Sequence, residues 1–317
     1  MLKKIFSKFL VKIFRKKLND FLEKNNYLVI YRNGSAIGEH VYMSSIIRKV
    51  NILEKKKILL FTNHHILYLN NPRVFKLFKI GKKSIFWFIL KNLKGKSILE
   101  FQSIHATKIN HFIKKKYFLY YHQKKIHLAQ AMSEHFNMNI DYSDLKNEFF
   151  FSRNELINFE KEIELPKKFS LIQSASKKTF TENKEWKIDG MQSIVNYFKN
   201  INWIQIGMSD EPILNNCKKY LDLDLRRLAF VIYKCDFLVT YEGLFNHLAA
   251  CFEKKNFIIH TGFLHEEAFF YKNNIIIEKN REMSCYPCYS LDCKTHKKSC
   301  LSNITNEFVI NKIEKNI

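Results

Sequence analysis

Five groups of residues in this chain are of types that can do chemistry. Thr240-Tyr241-Glu242-Gly243-Leu244-Phe245-Asn246-His247 sets a carboxylate and an imidazole around a glycine, between an apolar run and a segment with helical character. A strand that turns at Gly243 into a helix points the helix N-terminus into the turn, where an anion is favoured. A capped helix with one satisfied histidine would have the same sequence. The loop Ser174 to Trp186 carries Ser174, Ser176, Thr181, Lys184 and further lysines. Hydroxyls, backbone amides and an ammonium are sufficient to hold a diphosphate; the alternative is a solvated loop. Asp210 or Glu211, after the next strand-like run, could accept hydrogen bonds from ribose hydroxyls. Glu39 lies in a glycine-containing turn after the first strand-like run. It could take a proton from an attacking hydroxyl, or could only complement a helix dipole.

The last group is Cys285, Cys288, Cys293 and Cys300. Four thiols could bind a structural zinc tetrahedrally, although the later spacings are irregular for a zinc ribbon. Simple packed thiols are the alternative. The chain has seven cysteines, an odd number, and that usage suits a reducing compartment.

The elements needed to position these groups follow from periodicity. Short apolar runs at Tyr27–Tyr31, Lys57–Thr62, Ser97–Gln102, Tyr117–Tyr121, Phe169–Gln173, Trp203–Ile206, Asp236–Thr240 and Asn256–His260 read as buried strands. Helical spacing is expected at Val41–Val50, Asn71–Phe78, Phe86–Leu93, His127–Phe136, Asp189–Lys199, Leu225–Lys234 and Asn306–Ile317. Strands alternating with helices indicate an α/β protein with parallel sheets and right-handed crossovers. A charged stretch at Phe149–Leu165 followed by Pro166 marks the domain boundary. The expected organisation is a helix over 1–24, a Rossmann-like domain over 25–160, a second over 161–305, and a terminal helix over 306–317. The cleft would lie between the carboxyl edges of the two sheets.

The 317 residues suit two such domains, and 46% apolar content with only eight Gly and four Pro argues against a linker-rich chain. The formal charge of +23 favours polyanionic partners, including anionic membranes and nucleotide diphosphates. Only eight of the 53 basic residues are Arg, the residue that reads bases and phosphates bidentately, and no nucleic-acid motif is present. Direct nucleic-acid binding is therefore not expected. No apolar run is long enough to span a membrane, and Lys8, Lys12, Arg15, Lys16 and Lys17 interrupt any secretory apolar region. Over residues 2–24, Leu2, Ile5, Phe6, Phe9, Leu10, Ile13, Phe14, Leu18, Phe21 and Leu22 recur at helical spacing among lysines. That is the pattern of an in-plane membrane anchor, or of a helix packed on the domain behind it.

In order, Arg32-Asn33-Gly34-Ser35-Ala36-Ile37-Gly38-Glu39, then Ser174 to Trp186 ending Lys184-Glu185-Trp186, then Glu242-Gly243-Leu244-Phe245-Asn246-His247-Leu248-Ala249-Ala250, and the late cysteines resemble glycosyltransferase family 9, which includes the lipopolysaccharide heptosyltransferases. The resemblance spans roughly residues 28–305. It implies a GT-B fold, with acceptor on the N-terminal domain and nucleotide-sugar donor on the C-terminal domain. It also implies inversion by direct displacement, with no catalytic metal or other cofactor. Under it Glu39 is the base, with Arg32, Gly38 and His40 on the acceptor side. Lys184 neutralises the donor diphosphate, while Glu242 and Gly243 form the donor-binding turn with His247 behind them. Ser174, Ser176, Thr181 and Glu211 complete the donor side. Glu39 and Leu244 depart from the family's aspartate and second glycine. The implied activity moves a sugar, heptose among the candidates, onto lipopolysaccharide or another surface glycan at the cytoplasmic face of the inner membrane. Two other classes stay open: a zinc-stabilised basic nucleic-acid-binding protein, and a membrane-associated family member without turnover.

Overall fold

The computed structural model describes residues 2–34, 36–81, 93, 95, 97–101, 125–134, 138, 140–176, 182–289, 293 and 299–317, with side chains from residue 13 onward. The expected strand at Tyr117–Tyr121, nearly all of the expected helix at Phe86–Leu93, and Thr181 lie outside these residues. The chain divides into two compact units, residues 1–118 with 128–151, and residues 119–127 with 152–317.

The first unit begins with α1 (Leu2–Lys24) and β1 (Tyr27–Arg32). It continues through α2 (Ile37–Glu54), β2 (Lys57–Thr62), β3 (Val74–Lys79), β4 (Ile98–Glu100) and α3 (Leu128–Glu134). Its described strands form one parallel sheet in the order β3-β2-β1-β4. Segment 71–78 was expected to be helical, and this is corrected: most of it is strand β3. Its apolar residues serve two periodicities, and pairing decides between them. Phe78 stacks on Phe61 of β2 with ring centroids 4.4 Å apart, while Phe75 stays exposed as befits an edge. Leu22, Val29, Tyr31, Phe61, Ile80, Leu93 and Ile98 form the core on the α1 side.

The second unit runs α4 (Arg153–Glu162), β5 (Ser170–Gln173), α5 (Ile188–Tyr197), β6 (Trp203–Gly207), β7 (Lys218–Leu221), α6 (Leu225–Lys234) and β8 (Phe237–Thr240). It finishes with α7 (Leu244–Cys251), β9 (Lys255–Ile259), β10 (Asn274–Ile277), α8 (Ser299–Ser302) and α9 (Asn306–Glu314). Its six strands form a parallel sheet in the order β10-β9-β8-β5-β6-β7. The division falls at Phe151/Ser152, inside the charged stretch Phe149–Leu165 and ahead of the expected 160/161 limit. Ser152 and Glu155 form a capping box that starts α4. Glu155 then pairs with Arg226 at 2.5 Å, and Phe159 packs on Phe230, so α4 is tied to α6. The terminal helix α9 is no separate domain: Val309 and Ile313 are buried in the second unit's core, and Tyr197 bonds Glu314 at 2.9 Å.

Both sheets change direction of strand order at an internal pair. The first does so between β1 and β4, the second between β5 and β8. In open α/β sheets the carboxyl ends of strands at such a point hold ligands.

Candidate functional site

In the second unit the switch point is bounded by the loop after β5 and the turn after β8. Gln173, the last residue of β5, ties them: its amide oxygen accepts from the Tyr241 backbone N–H at 3.3 Å, and its amide nitrogen donates to the Ala175 carbonyl at 2.6 Å. Trp186 anchors the far end of the loop. It is buried, donates from Nε1 to the Ile304 carbonyl at 2.7 Å, and its own carbonyl accepts from the Tyr241 hydroxyl at 3.1 Å. With both ends fixed, Lys184 is carried to the β8 turn. Its Nζ lies 2.5 Å from Oε1 of Glu242 and 4.7 Å from the centre of the Phe263 ring. Glu242 is buried at 5% exposure and Lys184 at 19%. An ammonium has three donor directions, of which Glu242 takes one.

Gly243 follows, with φ +147°, and caps α7. A side chain there would be strained by the backbone, although a Cβ would meet nothing within 4 Å. The open space above Gly243 lets a ligand approach the first turn of α7. Leu244, in the position where the resembling motif has glycine, is itself the first residue of that helix. Ser176 lies in the same loop, its backbone N–H bound to Glu185 at 2.7 Å. The Ser176 hydroxyl is buried with no hydrogen-bond partner among the described residues.

The other expected donor residues are placed differently. Ser174 accepts from the Gln205 amide at 2.9 Å, within a network that also fixes Leu214 and Pro212. It braces β5 against β6. Glu211 folds back over Gly207, whose φ of +150° and lack of a side chain make room for that carboxylate. His247 is packed behind the turn, Nδ1 against the Tyr271 hydroxyl at 2.8 Å. The four cysteines are each half-buried and form no disulfide among the described residues. Among the described residues no three His, Cys, Asp or Glu side chains are placed to hold a metal ion.

Several contributors were missed from sequence. Phe263 lies under the Lys184 ammonium, and Thr261 bonds the Asn183 carbonyl at 2.6 Å, holding the β5 loop from the β9 side. A buried amide cluster fixes α7. Asn246 donates to the Phe269 carbonyl at 2.8 Å and accepts from Asn274 at 2.8 Å and Asn256 at 3.2 Å, while Thr240 donates to Asn256 at 3.0 Å. Three asparagines so far apart in sequence give no local signal. Asn246→Leu leaves the Asn256 and Asn274 donors without acceptors. At about 1–3 kcal/mol for each buried unsatisfied group, urea unfolding should show a loss of roughly 3 kcal/mol.

In the first unit Arg32, Glu39 and His40 do converge at the switch point. The Arg32 guanidinium is 1% exposed, pairs with Glu39 in a short contact, and bonds the Phe101 carbonyl at 3.1 Å, linking the ends of β1 and β4. Glu39, in the first turn of α2, is 4% exposed. Gly34 passes over Arg32 so closely that a Cβ would lie 3.2 Å from the guanidinium. The Gly34 carbonyl accepts from Asn63 at 2.9 Å and contacts Nε2 of both His64 at 3.0 Å and His40 at 3.3 Å. Gly38, also in the first turn of α2, is half-buried beside them.

His40 is neutral: burial, then the charges of Arg32 and His64, push its pKa down to about 2. With Nε2–H directed to Gly34, its Nδ1 accepts from Thr62 at 3.2 Å. In the second unit, burial and then His247 and His265 hold His127 far below the usual histidine range. The unfolded chain takes up these protons near pH 6.5 and the folded units resist them. Stability is therefore full above pH 6.5 and falls as pH drops. Each such histidine costs about 1.4 kcal/mol per pH unit, so each unit should lose roughly 2 kcal/mol between pH 6.5 and 5. Denaturant unfolding at the two pH values measures this.

No protein-family model matches the chain, and no curated protein matches it in sequence. Solved structures do. A glycosyltransferase family 9 protein from Veillonella parvula superposes with a TM-score of 0.66 at 14% identity, covering 92% of this chain and 97% of that one. The dodecameric iron-containing heptosyltransferase TibC, solved with ADP-D-β-D-heptose, gives 0.63 at 11% identity over 92% and 76%. E. coli ADP-heptose lipopolysaccharide heptosyltransferase II gives 0.61 at 11% identity over 91% and 98%. The chain thus has the two-sheet α/β fold of these GT-B glycosyltransferases.

Proposed function

We propose that the protein is a glycosyltransferase that moves a sugar from a nucleotide-diphosphate donor to lipopolysaccharide or another surface glycan. The observation that carries this reading is the second unit's switch point, where Lys184–Glu242, the open face of Gly243 and the buried Ser176 hydroxyl lie along one strand edge. The neighbour TibC is solved with ADP-D-β-D-heptose, so an adenosine diphosphate sugar is the donor to try first.

In the reaction an acceptor hydroxyl oxygen attacks the anomeric carbon from the face opposite the diphosphate. The carbon–oxygen bond to phosphate breaks, the centre inverts, and the nucleoside diphosphate leaves with one more negative charge. Lys184 and the α7 N-terminus stabilise that charge. Glu242, an acceptor of hydrogen bonds, takes donor hydroxyls. Glu39 receives the acceptor proton, with Arg32 and His40 shaping its surroundings and Gly38 giving access at the start of α2. Charge stabilisation of this kind requires no metal. In this reading Thr181 and Glu211 belong to the donor side, and His247 holds the turn from behind through Tyr271. No structural zinc at Cys285, Cys288, Cys293 and Cys300 belongs to this proposal, because among the described residues no three side chains are placed to hold a metal ion.

In this reading the protein works at the cytoplasmic face of the inner membrane through peripheral attachment. No helix among the described residues is long and apolar enough to cross a membrane. The test of the donor site is heat stability in the presence of ADP, UDP, GDP and their sugars. One nucleotide diphosphate should raise the melting temperature; no shift with any of them would end the proposal.

A further inference from the structure

Helix α1 is longer than the sheet it packs on. Two asparagines turn the chain from α1 into β1, so the helix runs back along the strand. Leu18 and Leu22 face the core, and the Asn19 side chain accepts from the Ser97 backbone N–H at 3.3 Å. The Ser97 carbonyl in turn accepts from Val29 at 2.9 Å, so Asn19 lies level with Val29 in the sheet. From that level β1 has only three residues left, about 10 Å at 3.3 Å each. Helix α1 has seventeen left, about 26 Å at 1.5 Å each. The helix therefore overruns the carboxyl edge of the sheet by roughly 15 Å, on the side where Arg32, Glu39 and His40 lie. The stripe that buries Leu22 at 3% exposure already opens to solvent just short of that edge, at Phe14, which is 58% exposed, with Ile13 at 39%.

The overrunning part has a distinct charge. Leu2–Asn19 contains seven Lys and Arg and no acid, the two acids of α1 being Asp20 and Glu23 near its anchored end. Its sequence spaces Leu, Ile and Phe at helical intervals among those cations. A second copy of so basic a segment would be repelled, whereas an anionic bilayer neutralises it and takes up the apolar stripe.

We infer that the first half of α1 is an arm that docks on an anionic lipid bilayer and thereby turns the carboxyl edge of the first sheet toward the membrane surface. It rests on the glycosyltransferase reading only in making that edge the acceptor side. A lipid-anchored acceptor would then be presented directly to Glu39.

Flotation of the full chain with vesicles tests this. Strong binding to phosphatidylcholine mixed with phosphatidylglycerol, weakened by salt, and little binding to phosphatidylcholine alone are expected. Phe14→Glu, and Lys16→Glu with Lys17→Glu, alter exposed residues and should each reduce binding about tenfold or more. Hydrogen exchange on bound vesicles should slow over residues 2–14 and over the loop 63–68 at the carboxyl edge, with the turns at 25–26 and 55–56 unchanged. Absence of charge-dependent binding, or self-association of α1 in place of vesicle binding, would overturn the arm. Protection at 25–26 and 55–56 would overturn the orientation. The nucleotide-induced heat shift, measured on the same variants, should be unaltered; its absence from the unmodified protein would count against the donor site and leave the arm standing.

Discussion

Replacing Glu39 by Gln should reduce turnover by about a hundredfold to ten-thousandfold, the usual worth of a positioned base, and should also destabilise the first unit. Both effects have a visible origin. Glu39 is the partner of an Arg32 guanidinium that is 1% exposed and otherwise held by one carbonyl, that of Phe101. Removing one member of a buried ion pair leaves an uncompensated charge and typically costs about 3–5 kcal/mol. The amide of Gln keeps one oxygen for the guanidinium, so Glu39→Gln falls at the low end and Glu39→Ala at the high end. The two roles separate in measurement. A base gives a large fall in kcat with nucleotide affinity unchanged, read at a temperature where the variant is folded. A purely structural carboxylate gives a lower melting temperature and a kcat that recovers once the protein is folded.

Lys184→Ala should abolish nucleotide-dependent stabilisation. A ligand at a hundred times its dissociation constant adds about 2.7 kcal/mol to folding stability, and that increment should vanish with the ammonium. The unliganded protein should lose stability as well, because Glu242, 5% exposed, would be left without its cation. Lys184 is partly solvated, which reduces this loss to about 1–3 kcal/mol. Adding Glu242→Gln to Lys184→Ala removes the stranded charge. The double variant should regain unliganded stability and still ignore nucleotide, a non-additive result that direct contact predicts. Additive losses would mean that the pair is not coupled.

Much of this arrangement was legible in the sequence. The amphipathic pattern of Leu225–Lys234 placed that helix at its observed limits, and Asp236–Thr240 with Gly243 read correctly as strand, turn and helix. Buried parallel strands are apolar throughout, so β1, β2, β5, β6 and β9 stood out. The edges did not. Lys218–Leu221 begins with two lysines, Asn274–Ile277 is only four residues long, and Val74–Lys79 carries an apolar pattern that also suits a helix. For such strands pairing decides the conformation, and pairing is not local. At the site, residue types were readable but their partners were not. Lys184 and Glu242 are 58 positions apart, and the salt bridge between them exists because Trp186 and Gln173 fix the two loops. Arg32 with Glu39 was written within one turn, yet only the fold shows the pair buried. Ser174 reads as a hydroxyl in a phosphate loop, and only the fold shows that it also accepts from Gln205, because β6 presents an amide directly behind it.

The most direct test of the central claim is release of nucleoside diphosphate from a panel of nucleotide-diphosphate sugars, ADP-heptose first, with a lipopolysaccharide-core acceptor fraction and a metal chelator present. Glycosyl transfer predicts steady release that requires the acceptor fraction, persists with chelator, and is lost in Glu39→Gln and Lys184→Ala. No acceptor-dependent release from any donor, by a folded protein, would contradict it.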